Sequence, residues 1–342
     1  MLATLTEKLL ASENLSDQDV VYAGEHLLSV DESIESRADF LRALNKKGET
    51  PTEIAAFVKY FLGEARDPQI PSKGIIDVCG TGGDKVGLFN ISSATMIVAA
   101  AAGARVVKHG NRGVTSRSGG ADVLEALGVK IDHEPEAAAE ILDHAGCIFL
   151  FAPRYHPSFA AVVPVRQILG KEGTTTIFNM IGPLLNPARP EFQLAGVFDE
   201  KLLPVYAETF RLLGRTRAWA VHGKAEGRGL DEISTIEPTR VLIAEESGIS
   251  ESLIDPKDFS LAPASLQSLV GGDATENAQI IVSLLEGKGP APHREIVQLN
   301  AAAALVVSGK AADLPAAFAQ AGEAITSGAA TEALNRLRSF SR

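Results

Sequence analysis

The feature that most constrains the fold is an alternation of short apolar runs with helical segments, which begins near residue 75. The first apolar run covers residues 75–79 and ends in glycines, a pattern typical of a buried strand. An alanine-rich helix at 92–102 and a second apolar run at 104–107 follow it. This alternation predicts an α/β domain with a central, mostly parallel sheet. The same pattern predicts further helices at 121–127, 135–145 and 202–213, and further strands at 147–151, 194–198 and 218–221.

The N-terminal part of the chain has the periodicity of helices instead. Thr50, Pro51 and Glu53 form a clear helix start, with a hydroxyl cap, a proline at the first helical position and a capping-box glutamate. Another helix is predicted to open at Ser16, which Asp19 follows three residues later. The C-terminal tail is again helical in pattern.

These patterns divide the chain into two parts. We expect a small all-helical domain at residues 1–70 and a larger α/β domain at 71–342. The segment 158–190 is rich in glycine and proline, and part of it is expected to cross back to the small domain. The predicted fold class is therefore α/β, with a small N-terminal helical domain beside the sheet-containing one.

Charge and cysteine content exclude several classes of partner. The chain has 32 Lys and Arg against 43 Asp and Glu, and its net charge of −11 disfavours binding to nucleic acid or anionic membranes. The longest apolar run, residues 96–102, is too short to span a bilayer, and no cationic leader precedes an apolar stretch. Cys79 and Cys147 lie in apolar runs and are expected to be buried free thiols. We expect a soluble, cytoplasmic protein that binds neither nucleic acid nor membranes.

A glycine-rich segment with the sequence GTGGD, residues 80–84, directly follows the first predicted strand. Glycines allow a ligand to approach the backbone, and successive N–H groups in such a loop can surround phosphate oxygens. Lys85 stands where a dinucleotide-binding fingerprint would have its third glycine, and no P-loop lysine follows at the right distance. The alternative interpretation is a plain turn.

A cationic segment follows the second predicted strand. It contains Lys108, His109, Arg112 and Arg117, three cations and a histidine within ten residues of an acidic protein. Ligands of parallel sheets bind beyond the carboxyl ends of the strands. The glycine-rich and cationic segments at two such ends therefore predict a pocket for a polyphosphate. The alternative is a solvated basic loop.

Two further segments offer oxygen ligands. Ser92 and Ser93, after Asn90, are suited either to cap the alanine-rich helix or to ligate magnesium through a hydroxyl, and the two roles are compatible. Asp231 and Glu232 follow a glycine-flanked turn and suit magnesium, which prefers hard oxygen ligands. Taken alone, such a carboxylate pair is usually surface charge.

The segment 179–187, with the sequence NMIGPLLNP, is a stiff loop with apolar residues beside a Gly-Pro pair. It is suited to form one wall of an aromatic pocket. The alternative interpretation is a rigid hinge between domains.

At these residues the chain resembles the anthranilate phosphoribosyltransferases. The resemblance spans nearly the whole chain and rests on several long motifs in the same order. They are GTGGD at 80–84, NISS at 90–93, KHGNRGVTSRSGGADVLEALG at 108–128, FAPRYHPSF at 151–159, FNMIGPLLNPARP at 178–190, GLDEIS at 229–234 and GGDATENA at 271–278.

The resemblance implies a fold shared with the pyrimidine nucleoside phosphorylases and a homodimer formed through the small helical domain. It implies that the 5-phosphoribosyl group passes from phosphoribosyl pyrophosphate to anthranilate in tryptophan biosynthesis, with Mg²⁺ as cofactor. The residues implied in phosphoribosyl pyrophosphate binding are Gly80, Gly83, Asp84, Asn90, Ser92, Ser93, Lys108, His109, Gly110, Asn111, Arg112, Ser116 and Gly120. Those implied at the acceptor are Gly80, His109, Asn111, Phe159, Arg166 and Pro183; those at the metal are Ser92, Asp231 and Glu232; and the catalytic set is Lys108, Asp231 and Glu232.

Three other interpretations remain open at the level of sequence. The first is a paralogous phosphoribosyltransferase with another aromatic acceptor, or a nucleoside phosphorylase on the same fold. The second is a non-catalytic, nucleic-acid-binding relative, which the net charge of −11 and the retained Asp231-Glu232 pair disfavour. The third is a purely structural domain, which leaves the clustered loops unexplained.

Overall fold

The computed structural model describes residues 2–82, 86–113 and 117–341. Of the residues predicted to bind the phosphoribosyl donor, Gly83, Asp84 and Ser116 lie outside these ranges. The predicted fold class is confirmed: helices form the N-terminal part, and a mixed sheet of mostly parallel strands follows. In the described part of the chain, no helix is long and apolar enough to cross a membrane.

The N-terminal part consists of helices, and two of them begin where the sequence predicts. Ser16 and Asp19 form a capping box, and so do Thr50 and Glu53. The Glu53 carboxylate also accepts hydrogen bonds from Leu15 N at 2.9 Å and from Lys47 Nζ at 2.7 Å. One carboxylate thus holds the start of the fourth helix against two earlier segments. The helices are α1 (Leu2–Leu10), α2 (Asp17–Leu28), α3 (Ile34–Lys47) and α4 (Pro51–Gly63).

The central sheet has five parallel strands and an antiparallel extension. Its order is β3-β2-β1-β4-β5-β7-β8, with β6 paired to β5 as a hairpin. The pairs from β3 to β5 are parallel, whereas β7 and β8 run antiparallel to their neighbours. The strands are β1 (Ile75–Gly80), β2 (Arg105–Gly110), β3 (Cys147–Phe151), β4 (Phe192–Gly196), β5 (Arg217–Ala225), β6 (Arg228–Leu230), β7 (Thr239–Glu245) and β8 (Gly248–Ile254).

Eleven further α-helices follow α4 within the described residues. They are α5 (Ile91–Ala101), α6 (Gly120–Ala126), α7 (Ala138–Ala145), α8 (Ala152–Tyr155), α9 (Val163–Lys171), α10 (Ile177–Met180), α11 (Leu203–Leu212), α12 (Ala274–Leu285), α13 (Ala291–Val307), α14 (Leu314–Thr326) and α15 (Ala329–Ser339).

Successive strand residues enter opposite cores. In β5, Trp219 and Val221 pack into the core that contains α5 and α13, whereas Ala218 and Ala220 pack into the core that contains α11 and the N-terminal helices. This period of two, with both faces buried, explains why the parallel strands are mostly apolar in the sequence, with buried polar residues such as Asp77 in β1 and Gln193 in β4.

Two predictions of local structure were wrong. The second strand does not end at residue 107 but continues through Gly110, so that Lys108 and His109 are strand residues rather than loop residues. The position before α5 is occupied by Asn90, and neither Ser92 nor Ser93 caps the helix. Strands β7 and β8 were not predicted at all.

The segment 158–190 contacts the N-terminal helices. Helices α9 and α10 pack on α3, and Arg37 Nη1 donates to Ala161 O at 2.7 Å. Arg42 and Glu172 form an ion pair at 2.7 Å between α3 and the end of α9. These contacts support the proposal that part of this segment belongs with the small helical domain.

Candidate functional site

The carboxyl ends of three neighbouring parallel strands meet at one edge of the sheet, and each ends in glycine. Gly80 of β1 lies in register with Gly196 of β4, and Gly110 ends the adjacent β2. Lys108 and His109, two predicted site residues that the structure places in β2, are buried at this edge. Ligands of such sheets bind beyond the carboxyl ends of the strands, so a ligand is expected at this edge.

The Asp231-Glu232 segment lies directly on these strand ends. A Cβ added to Gly80 would stand 2.4 Å from Asp231 Oδ2, and one added to Gly196 would stand 1.6 Å from Asp231 O. A Cβ on Gly223 would likewise lie 2.2 Å from Glu232 O. Only glycine leaves room for a backbone to approach this closely. The glycines therefore allow the carboxylate pair to reach the edge of the sheet.

The glycine-rich loop is tied to the same carboxylate. Gly82 N donates to Asp231 Oδ2 at 2.7 Å, although the two residues are 149 positions apart in the chain. Thr81 N donates to Gly196 O at 2.9 Å. Hydrogen bonds thus join the loop after β1 to Asp231 and to the end of β4.

Lys108 brings the cationic segment to the same place. Its ammonium is almost fully buried and donates to Val78 O at 2.6 Å and to Ser92 Oγ at 3.2 Å. Ser92 and Glu232 line one small cavity between the strand ends and α5. Three distant segments of chain, around Gly82, Ser92-Lys108 and Asp231-Glu232, therefore meet at one point.

Gly120 and Ser93 lie beside Lys108. A Cβ on Gly120 would be 3.8 Å from Lys108 Cε and 3.6 Å from Ser93 Oγ, which is ordinary contact. Ser93 Oγ is buried and has no hydrogen-bond partner among the described residues. Buried hydroxyls are usually bonded, so a free one at the site edge is available to a ligand.

A buried carboxyl lies beneath the Lys108 ammonium. Asp77 of β1 is fully buried, and burial raises its pKa to about 6 although Lys108, Asn186 and Arg215 act to lower it. Among the described residues, no donor makes a hydrogen bond of ordinary geometry to either carboxyl oxygen. Asp77 is thus an acidic group set against the buried cation that the sequence analysis singled out.

Asn90 joins three elements rather than capping one. Its Oδ1 accepts hydrogen bonds from Ser118 Oγ at 3.1 Å and Asn277 Nδ2 at 2.9 Å, and its Nδ2 donates to Ser118 O at 3.1 Å. The side chain is therefore occupied by α12 and by the residues before α6, which explains why it makes no cap hydrogen bond to α5.

Asn111 and Arg112 are placed differently from Lys108. The guanidinium of Arg112 contacts Asp122 at 3.1 Å and Glu125 at 2.9 Å on α6, and these carboxylates raise its pKa. Asn111 Oδ1 accepts from Arg112 N at 2.8 Å, and Asn111 O accepts from Ala121 N at 3.2 Å. Both residues thus shape the loop that leads to α6.

Three of the predicted acceptor residues, His109, Phe159 and Arg166, fall along a line of rings. His109 and His156 have ring centroids 5.2 Å apart, His156 and Phe159 are also 5.2 Å apart, and Phe159 lies 5.7 Å from Phe178. The guanidinium of Arg166 lies 5.8 Å from the centre of the Phe178 ring. This arrangement is a mostly buried aromatic cluster that ends in the exposed guanidinium of Arg166.

The protonation states along this line are set by burial. Burial lowers the pKa of His109 well below its ordinary value, with His156 and Lys108 adding to the effect, so its imidazole is neutral at pH 7. Its Nε2 is buried without a hydrogen-bond partner in the described ranges. Arg166 is exposed to water, and desolvation by the surrounding protein lowers its pKa.

Pro183 lies on a short 3-10 turn, Gly182–Leu184, which contacts β2. Its carbonyl accepts a hydrogen bond from Gln193 Nε2 at 2.6 Å and contacts Cys79 Sγ at 3.8 Å. The turn is thus held by a buried side chain of β4.

The whole chain resembles proteins of known activity. A family model described as "Glycosyl transferase family, a/b domain" matches residues 72–331. The anthranilate phosphoribosyltransferase of Desulfatibacillum aliphaticivorans is 42% identical over 342 residues, which cover 100% of this chain and 99% of the relative. That of Pelodictyon phaeoclathratiforme is 43% identical over 334 residues, 97% of this chain and 94% of the relative.

The chain belongs to the anthranilate phosphoribosyltransferase family.

Solved structures of this phosphoribosyltransferase family have the same fold. The anthranilate phosphoribosyltransferase of Thermus thermophilus superimposes with a TM-score of 0.90 at 37% identity and covers 98% of this chain and 99% of its own. The Saccharomyces cerevisiae enzyme in complex with PRPP and Mg gives a TM-score of 0.88 at 27% identity, with 99% and 97% coverage. The enzyme class that the sequence predicts is therefore confirmed.

The described residues of this phosphoribosyltransferase fit a magnesium ion held jointly with a substrate. They contain no cluster of three or more His, Cys, Asp or Glu side chains that would hold a metal alone. Magnesium commonly takes one or two protein carboxylates and completes its shell with water and substrate phosphates. Ser92 and Glu232 share a cavity and Asp231 precedes Glu232, so these oxygens suit that kind of site.

Sequence reasoning missed three residues that hold the phosphoribosyltransferase site together. Gly196 and Gly223 admit the carboxylate segment, and Asn300 of α13 clamps the next residue: its Oδ1 accepts from Ile233 N at 3.0 Å and its Nδ2 donates to Ile233 O at 2.9 Å. Gly196 lies within a predicted strand, where an interior glycine signals a close backbone approach. Asn300 is a lone polar residue before an alanine run, and only the fold shows its partner.

Proposed function

We propose that this chain transfers the 5-phosphoribosyl group from phosphoribosyl pyrophosphate to anthranilate and so yields N-(5-phosphoribosyl)anthranilate and pyrophosphate, a step of tryptophan biosynthesis. The observation that carries the proposal is the meeting of Lys108, Ser92 and the Asp231-Glu232 segment at one edge of the sheet, beside the line of rings. The relatives and solved structures named above bear the name of this activity.

The charge at the strand ends suits the departure of pyrophosphate. The bond between ribose C1 and the diphosphate oxygen breaks, and its electron pair leaves with the diphosphate. Lys108, a buried ammonium fixed by Val78 O and Ser92 Oγ, neutralises part of that charge without reorienting. Ser92, Asp231 and Glu232 would hold Mg²⁺, which supplies further positive charge to the phosphate oxygens when bound.

The aromatic line suits the acceptor. The amine of anthranilate is neutral at pH 7 and can attack the oxocarbenium-like C1 directly, then lose a proton to water, so no strong general base is required. The guanidinium of Arg166 is suited to bind the carboxylate of anthranilate, and the His109 and Phe159 rings to border its ring. Positioning and charge are then the main sources of rate.

A direct assay tests this function. Purified protein, Mg²⁺ and phosphoribosyl pyrophosphate are mixed with anthranilate, and the loss of anthranilate fluorescence is followed. We expect turnover that requires all three components. Pyrophosphate release with another aromatic amine, but none with anthranilate, would identify a paralogous phosphoribosyltransferase instead.

We also propose that the chain is cytoplasmic and forms a homodimer through its helical N-terminal part. Large apolar side chains stay exposed on this part, as at an interface. Light scattering of the purified protein should give twice the chain mass of 36.0 kDa. The exposed side chains within residues 1–70 are Leu10 of α1, Val21 of α2 and Val30, and helix α9, which packs on α3, exposes Val163 and Ile168.

A further inference from the structure

We infer that Gln193 and Arg215 are positioning residues that fix the Pro183 turn and thereby set the affinity for the aromatic acceptor. Neither residue is among the predicted catalytic, donor-binding, acceptor-binding or metal-binding residues. The inference rests on the proposed function in one respect, the placement of Pro183 at the acceptor. It concerns how a wall of the acceptor pocket is held, rather than which groups touch the substrate.

A hydrogen bond joins the side chain of Gln193 to the carbonyl of Pro183. Gln193 lies in β4, is fully buried, and donates from Nε2 to Pro183 O at 2.6 Å. The second donor to this carbonyl is the weaker Cys79 Sγ at 3.8 Å, so the Gln193 amide is the stronger of its two attachments to the sheet. A buried carbonyl that loses its donor is costly, and the turn would shift to find water or another donor.

Arg215 fixes the orientation of the Gln193 side-chain amide. Arg215 Nε donates to Gln193 Oε1 at 3.1 Å. A guanidinium only donates hydrogen bonds, so it holds the oxygen of the amide on its own side and directs the nitrogen to Pro183. Without Arg215, nothing in this pair would prevent the amide from turning its oxygen toward the Pro183 carbonyl.

Arg215 is itself held in place by burial and by a second hydrogen bond. It is almost fully buried, and burial lowers its pKa to about 10 although Asp77 and Cys79 act to raise it. Its Nη1 donates to Pro190 O at 2.7 Å. Arg215 and Gln193 thus hold both ends of the loop from Pro183 to Pro190.

The middle of the same loop is attached to the aromatic line. Leu185 O lies 2.8 Å from His156 Nε2, and the His156 ring lies between those of His109 and Phe159. A displacement of the Pro183 end would therefore be felt by the rings proposed to border the acceptor. Neither Lys108 Nζ nor Ser92 Oγ takes part in these hydrogen bonds, so the KM for the donor should change less than the KM for the acceptor.

The experiment compares Gln193→Met with a matched substitution, Gln298→Met. Gln298 of α13 also donates from Nε2 to a backbone carbonyl, Phe318 O at 2.7 Å, but far from the proposed acceptor residues. Loss of one buried hydrogen bond of this kind weakens an interaction by about tenfold. For Gln193→Met we expect the KM for anthranilate to rise about tenfold, with kcat and the KM for phosphoribosyl pyrophosphate changed less than about twofold.

A second variant guards against a merely structural effect. Arg215→Met leaves Gln193 in place but frees its amide, so it should raise the anthranilate KM in the same selective way, by a smaller factor. Gln298→Met should lower Tm without changing either KM. An anthranilate KM that is unchanged in Gln193→Met, or that rises together with the donor KM in step with the loss of Tm, would overturn the inference.

Direct binding separates this inference from the proposed function. Anthranilate binding to the protein with phosphoribosyl pyrophosphate and Mg²⁺ present is measured by calorimetry for each variant. If the natural chain binds and converts anthranilate but Gln193→Met binds it equally well, the inference alone fails. If the natural chain neither binds nor converts anthranilate, the proposed function fails and the inference falls with it.

Discussion

Lys108 Nζ lies 3.2 Å from Ser92 Oγ, and this contact joins the end of β2 to the start of α5. Ser92 in turn lines the same small cavity as Glu232, so the hydroxyl that binds the cation borders the same space as the carboxylate segment. The ammonium is fixed from its other side by Val78 O at 2.6 Å. A charge held in this way needs no rearrangement when negative charge develops on a leaving group.

Replacement of Lys108 should therefore affect the chemical step. Lys108→Met should lower kcat by about 100-fold or more, because a preorganised charge at the leaving group is lost. Lys108→Arg should not restore the rate, since a planar guanidinium cannot occupy a buried site shaped for a compact ammonium. Steady-state kinetics test both variants, and a kcat within about threefold of the natural value in Lys108→Met would remove this residue from catalysis.

The buried carboxyl of Asp77 predicts a pH dependence of stability. Its pKa is raised from 3.8 to about 6, so between these values the native protein retains a proton that the unfolded chain has released. The free energy of unfolding should therefore fall as pH rises through this window, by roughly 3 kcal/mol at most, and the full loss is present above pH 6.

Asp77→Asn removes this dependence. Relative to the natural chain, its free energy of unfolding in urea should increase between about pH 4 and pH 6 and level off above. Parallel pH curves for the two proteins would show that Asp77 does not titrate as its burial indicates.

The Asn300 clamp predicts a change in magnesium requirement. Asn300→Leu removes both hydrogen bonds to the Ile233 backbone and should loosen the adjoining Asp231-Glu232 segment. The Mg²⁺ concentration that gives half-maximal rate should rise about fivefold or more, as seen when groups that orient metal ligands are removed. Gln298→Met on the same helix serves as the control. An equal Mg²⁺ requirement in both variants would contradict the positioning role.

Arg166 predicts a selective loss of acceptor affinity. Arg166→Ala should raise the KM for anthranilate by about tenfold or more and leave the KM for phosphoribosyl pyrophosphate nearly unchanged, because the guanidinium is proposed to bind only the carboxylate of the acceptor. Arg166→Lys should recover part of the affinity, since it keeps the charge but not the planar pair of donors. An unchanged anthranilate KM in Arg166→Ala would rule out this contact.

The parallel part of the sheet could be predicted because its strands are buried on both faces. Residues 147–151 form a continuous apolar run for this reason, and residues 75–79 are apolar except for the buried Asp77. The structure contains β3 and β1 there. Strand β8 could not be predicted, because five of its seven residues are exposed at the sheet edge and polar side chains interrupt any apolar pattern. The end of β2 was missed because Lys108 and His109 are polar, although both are buried at the end of the strand.

The composition of the candidate site could be predicted from the sequence, but not its connections. Segments that follow strands in a parallel sheet must gather at one edge, and the segments of Gly80 and Lys108 do. The partner of Asn90 is 187 residues away at Asn277, and that of Gly82 is 149 residues away at Asp231. Such pairings depend on helix packing and strand order, which local patterns do not specify.

The most direct test of the account is the rate of the double variant Asp231→Asn, Glu232→Gln with phosphoribosyl pyrophosphate, anthranilate and Mg²⁺. Both changes keep the size of the side chains and remove only their charge, and circular dichroism checks that the fold is intact. We predict that loss of anthranilate fluorescence slows by at least about 1,000-fold and that added Mg²⁺ does not restore it. A rate close to that of the natural chain would contradict the claim that this segment and Lys108 form a single magnesium-dependent phosphoribosyl site.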